Sequence, residues 1–235
     1  IQYVLRSTGG ILYGDGALGV TQEQMDEFFK IAEKIYSEGW NCNPATYAER
    51  SNGTPEQSCL CYWSSNDTRS WCAFSWSNAL AAHQNAVGDQ FEVAMTTWPS
   101  DDCQASNYLK PAMFFSISTD SANPQAAAEF LNYWTNDVDA NKILLGERGV
   151  PVSSAVAEAI TPMLDEISAE VNNYVSNVAA PVSSTIDPPN PAVSTQIVTV
   201  MSDLGEQMRY GRLDAMEASR MLYKQANELM AESAE

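Results

Sequence analysis

Apolar and polar positions follow two different periods along this chain. From Thr21 to Gly39 the apolar residues Met25, Phe28, Phe29, Ala32, Ile35 and Tyr36 recur three and four apart, which predicts an amphipathic helix. Thr21 caps it, Gln24 completes a capping box, and Gly39 stops it. Trp71 to Trp76 (WCAFSW) is a short apolar run that reads as a buried strand. Ser77-Asn78 then starts a helix to about Gln84 or Asn85, with Asn78 in the cap position. Phe91, Val93 and Met95 alternate with Glu92 and Ala94 as a second strand, ended by Trp98-Pro99, and Ala112–Ser118 is a third.

Helical periods dominate after that. Asn123-Pro124 opens a helix with Ala127, Phe130, Leu131 and Trp134 on its apolar face. A shorter one, about 138–146, carries Ile143, Leu144 and Leu145 and is broken by Gly149-Val150-Pro151. Ser153 or Ser154 opens a helix bearing Val156, Ile160, Met163, Leu164 and Ile167, with a further short helix around 168–177. A Pro-rich connection over 178–191 leads to two closing helices. The first points Ile197, Met201, Leu204 and Met208 inward and ends at Gly211. The second starts at Asp214, with Glu217 as its N3 partner, and buries Ala218, Met221, Leu222 and Leu229. Residues 1–20 are glycine-rich and read as a loop or tight hairpin without a G-x-G-x-x-G phosphate fingerprint.

Charge narrows the function classes. The 235 residues carry 12 Lys and Arg against 30 Asp and Glu, a formal charge of −18, which argues against nucleic acid or anionic lipid as a partner. Apolar residues make up 45% of the chain, enough for a sizeable core, yet no run reaches the roughly 18 residues of a membrane helix. His83 is the single histidine, so a His-rich metal centre or a Ser-His-Asp triad is a poor fit. The spacing of Cys42, Cys59, Cys61, Cys72 and Cys103 does not suit zinc; it fits two disulfides plus a thiol, or buried reduced cysteines, and leans extracellular. The chain opens at Ile1 without a signal-peptide pattern, so a leader is expected to have been removed or the chain to start within a longer gene product.

Four stretches carry a resemblance. They are Thr8-Gly9-Gly10-Ile11-Leu12-Tyr13 with the helix ending Ser37-Glu38-Gly39; Ala73-Phe74-Ser75-Trp76-Ser77-Asn78 with the strand ending Trp98-Pro99; Phe114–Ser118 through Ser121-Ala122-Asn123-Pro124 to Leu131; and Asp139 to Ser154 (DANKILLGERGVPVSS). In order and spacing the chain resembles the C-terminal portion of the extracellular solute-binding proteins of carbohydrate ABC importers, the family of maltose-binding protein. The resemblance implies an α/β fold of the periplasmic-binding-protein-like type II, incomplete here, helix-rich and mostly second lobe. It assigns 1–98 to the second lobe, 99–150 to a first-lobe strand and helices with hinge crossings, and 151–235 to helices closing the second lobe. It also implies a cleft that closes on a sugar by hinge bending, delivery to a membrane permease, no catalytic residues, no cofactor and no metal. The location it implies is extracellular, at the cell surface as a lipoprotein or in the periplasm, with membrane contact only through an anchor outside this chain.

A sugar ring offers an apolar C–H face and a rim of hydroxyls, which aromatic rings and fixed polar groups recognise. Trp76 is the leading stacking residue because it follows a strand directly, where ligands gather in α/β sheets, with Ser77 beside it and Asn78 as hydrogen-bond partner. The alternative is a core tryptophan with a helix cap. Glu147-Arg148 either grips hydroxyls or pins a hinge by an ion pair. Tyr13 and Asp15 face a cleft or simply make the glycine-rich turn, and Trp40, Trp63 and Trp71 are further aromatics in the same half. Two other function classes compete: a glycan-acting hydrolase, which needs a carboxylate pair at set separation, and a non-catalytic surface interaction domain.

Overall fold

Residue contacts in the computed structural model group Ile1–Ala73, Trp98–Tyr108 and Val182–Glu235 as unit 1, and Phe74–Thr97 with Leu109–Pro181 as unit 2. The structure describes all residues except 42, 50–53, 59, 62–69, 112, 147–148 and 234–235. The sequence boundaries at 98/99 and 150/151 do not coincide with this division: 109–150 stays with 151–181 in one unit.

Unit 1 is built on three helices, α2 (Gln22–Ser37), α10 (Ser194–Arg209) and α11 (Ala215–Ser233). The Thr21 hydroxyl accepts from the Gln24 amide, and the Gln24 side chain accepts from Thr21 N–H, as the capping box predicts. Gly39 follows with φ +70°, a conformation that a side chain would penalise. The Asp214–Glu217 pair caps α11 by the same reciprocal device. Met25 and Phe29 of α2 pack with Leu204 and Met208 of α10 and with Ala218, Leu222, Ala226 and Met230 of α11. Full burial of side chains such as Phe29, Met25 and Leu222 stabilises the unit by roughly 1.5–3 kcal/mol each. Of the expected α11 face, Ala218 and Leu222 are buried, but Met221 is 39% exposed, and Ala215, Ser219, Ala226 and Met230 complete the buried side.

The glycine-rich opening forms a tight loop after α1 (Gln2–Ser7). Tyr13 bridges Leu18 antiparallel, and a Cβ at Gly19 would stand 2.5 Å from the Ile11 carbonyl oxygen, so the close approach needs glycine. Arg6 leaves α1 as the centre of a buried polar cluster. Its guanidinium pairs with Asp187, donates to Ser184 Oγ (2.6 Å) and to the carbonyls of Thr185 (2.9 Å) and Ala105 (3.1 Å), and lies over the Tyr108 ring. This cluster ties α1 to α5 (Cys103–Ser106) and to the extended segment after Val182. The short helix α3 (Pro44–Glu49) also belongs to this unit.

Unit 2 contains α4 (Leu80–Val87), α6 (Pro124–Asn136), α7 (Val138–Leu144), α8 (Ser154–Ile160) and α9 (Glu166–Asn173), the last continuing as a π-helix over Tyr174–Ala179. Its buried apolar residues are Leu80, Val87, Ala140, Val156, Ala157, Ile160 and Ala179. The single long helix expected from Ser153 to Ile167 is corrected to two, because Pro162 lacks the amide hydrogen that α-helix continuation needs and a 3-10 turn replaces it. Asp165 then caps α9 by accepting from the Ser168 amide. Asn141 Nδ2 donates to the carbonyls of Trp134 and Asp137, joining the end of α6 to the start of α7.

The strand expectations are corrected. Among the described residues no ladder forms, and the pairing consists of two isolated bridges, Tyr13–Leu18 and Tyr108–Ser184. Residues 72–76, 91–98 and 113–118 form neither helix nor ladder, and Trp71, Phe74, Trp76, Phe114 and Phe115 are exposed rather than buried. Local pattern sets an extended backbone; a ladder also needs neighbouring strands, which the described residues do not supply here. Over 91–95, the Gln84 side chain stands in for a partner, accepting from Val93 N–H and donating to the Phe91 carbonyl. Helix α6 likewise buries none of its residues: Phe130 is 54% exposed, and Trp134 meets Phe115 edge-on at 5.7 Å. Ile143 of α7 is 81% exposed.

Candidate functional site

The site residues that lie together are those around Trp76, in unit 2. Residues 72–76 lead into a 3-10 turn, Ser77–Ala79, before α4 begins. The turn sets the Trp76 indole out from the chain, where it is 56% exposed. Asn78 is exposed in that turn and does not cap a helix: α4 has Ala79 at its N-cap and no side-chain cap bond. Its carboxamide hydrogen-bonds no described residue. Ser77 is half-buried between them.

Lys110 completes the group. Its Nζ lies 5.2 Å from the centroid of the Trp76 ring. The residue is exposed, on the extended stretch that leads into Pro111. Sequence reading missed it: 34 positions separate it from Trp76, and no periodic signal links a loop lysine to a distant indole. An aromatic face, a carboxamide and an ammonium at one surface suit a ligand with an apolar face and a polar rim.

The other sequence-named residues are placed separately. Tyr13 of unit 1 is half-buried against the helical core, and burial pushes its hydroxyl above the ordinary value of 10.0. Asp15 is exposed in the same loop. Trp40, also in unit 1, is 65% exposed with Lys34 Nζ 5.3 Å from its ring centroid. Trp71 is 92% exposed. Trp98 is half-buried, its ring 5.0 Å from that of Tyr3 and its carbonyl accepting from the Tyr3 hydroxyl. Glu147, Arg148 and Trp63 lie outside the described residues, as do Cys42 and Cys59. Cys61 is buried, and Cys72 and Cys103 are half-buried. Burial raises the Cys72 thiol above its ordinary value of 9.0. Among the described residues no group of three or more His, Cys, Asp and Glu is placed to hold a metal ion, and no helix is long and apolar enough to cross a membrane.

Solved structures share this fold. An extracellular solute-binding protein family 1 structure from Alicyclobacillus acidocaldarius is 23% identical, with a TM-score of 0.78 over 98% of this chain and 57% of its own. A periplasmic oligogalacturonide binding protein from Yersinia enterocolitica is 18% identical, with a TM-score of 0.75 over all of this chain and 58% of its own. A de novo designed cysteine esterase is 19% identical, with a TM-score of 0.78 over all of this chain and 59% of its own. The chain thus shares the fold of periplasmic-binding-protein-like structures and is helix-rich, and it spans under three fifths of their length. No protein-family model matches the chain.

Proposed function

We propose that this chain is the C-terminal portion of an extracellular or periplasmic receptor for a sugar or oligosaccharide, serving an ABC importer. The exposed Trp76 indole, with the uncommitted Asn78 carboxamide on the next turn, is the observation that carries the reading. The fold supports it, because structures that share the fold include solute-binding proteins and one that binds oligogalacturonide.

Trp76 stacks on the C–H face of a sugar ring, and Asn78 both donates to and accepts from its hydroxyls. Ser77, in the same turn as Asn78, is a further contact in this proposal. The ligand sits in a cleft between two lobes, hinge closure surrounds it, and the closed receptor presents it to the permease. No bond is made or broken. Titrating the full protein with a saccharide panel tests the reading: a saturable change in tryptophan fluorescence without product formation supports it. Absence of any response, or turnover of the saccharide, counts against it.

A further inference from the structure

Lys110 points to the chemical class of the ligand at that site. The chain has 30 acidic side chains for 12 basic ones, so an ammonium has many carboxylates to choose from. Lys30, Lys142 and Lys224 each pair with an acid on their own helix, and Arg6 pairs with Asp187. Lys34 and Lys110 pair with no carboxylate among the described residues, and each lies over an indole instead, Lys34 at 5.3 Å from the Trp40 centroid and Lys110 at 5.2 Å from that of Trp76, the residue of the proposed site. An exposed lysine resting on an exposed indole is exchangeable. Its flexible stem can turn the ammonium from the ring to a ligand anion without breaking an internal ion pair.

A neutral sugar has no need of this arrangement, since stacking uses the ring face alone. An acidic sugar does need it. The net charge of −18 repels an anion, and a local cation beside the stacking ring offsets that repulsion where the ligand binds. We propose that the saccharide carries a carboxylate, as hexuronic acids do, and that Lys110 pairs with this carboxylate while Trp76 stacks on the same or the adjoining ring. The inference rests on the receptor reading above and adds the ligand's charge to it.

The test is calorimetric titration of the intact protein with oligosaccharides of hexuronic acids and with their methyl-esterified, uncharged forms. A charge-assisted contact predicts that at least one acidic form binds about tenfold or more tightly than its ester. Lys110→Gln should erase that ratio, and Lys110→Arg should keep it. Equal affinity for acid and ester overturns the inference while leaving the receptor reading intact. So does a ratio that survives in Lys110→Gln. Binding of no saccharide, acidic or neutral, overturns both.

Discussion

Arg6 and Asp187 are 181 residues apart in sequence and form an ion pair whose two side chains are 7% and 9% exposed. The pair closes unit 1 between its first helix and the segment leading to its last two. Asp187 Oδ2 is buried without a hydrogen-bond partner among the described residues, so Arg6 is the compensation for that carboxylate. Removing one member of a buried pair strands the other charge. Arg6→Ala is therefore expected to cost about 3–5 kcal/mol. Urea denaturation of the variant measures this; a loss below about 1 kcal/mol would show the carboxylate to be solvated.

The loop between α1 and α2 makes a steric prediction. Gly19→Ala puts a Cβ against the Ile11 carbonyl, which is backbone and cannot swing aside. An overpacking cost of about 1–3 kcal/mol is expected. Gly205→Ala on α10, where a Cβ meets nothing within 4 Å, should instead be neutral or stabilising. Thermal melts of the two variants should move apart.

Asp165 supplies a pH dependence. Hydrogen bonds from the Ser168 backbone and then from its hydroxyl hold the carboxyl below its ordinary value of 3.8. A depressed folded-state value means the cap's contribution is complete above the unfolded value and is lost as pH falls through the folded one. Helicity of α9 should accordingly persist at neutral pH and weaken below about pH 4. Asp165→Asn should remove that acid-side slope in circular dichroism, while Asp165→Ala should lower helicity at all pH values.

Unit 2 carries Phe114, Phe115, Phe130, Ile143 and Val152, each more than half exposed. Exposed apolar side chains of this number favour association. These 235 residues on their own are expected to associate and to bind an apolar dye such as ANS. Phe114→Asp with Ile143→Asp should reduce both in light scattering and dye fluorescence, and a dye-silent monomer before mutation would contradict the prediction.

The long helices of unit 1 were legible in the sequence because their information is local. Thr21 with Gln24, Gly39, and Asp214 with Glu217 mark ends through contacts three residues apart. The register of α11 was less legible: Met221 is more apolar than Ser219, but Ser219 is buried where its hydroxyl donates to Asp26. The strands illustrate the opposite case, since the pattern over 113–118 encodes an extended chain and says nothing about which strands flank it. Trp76 was singled out because it directly follows an apolar run read as a strand, where ligands gather in α/β sheets. Lys110 and Arg6 were missed because their partners are brought to them by tertiary structure alone.

The central claim is that Trp76 holds a saccharide ring by stacking. Trp76 is 56% exposed, so Trp76→Ala should leave the fold intact by circular dichroism. Calorimetric titration of wild type and Trp76→Ala with a saccharide that the wild type binds tests it most directly. The account predicts at least a tenfold loss of affinity, about 1.4 kcal/mol. Equal affinity in the two proteins would contradict it.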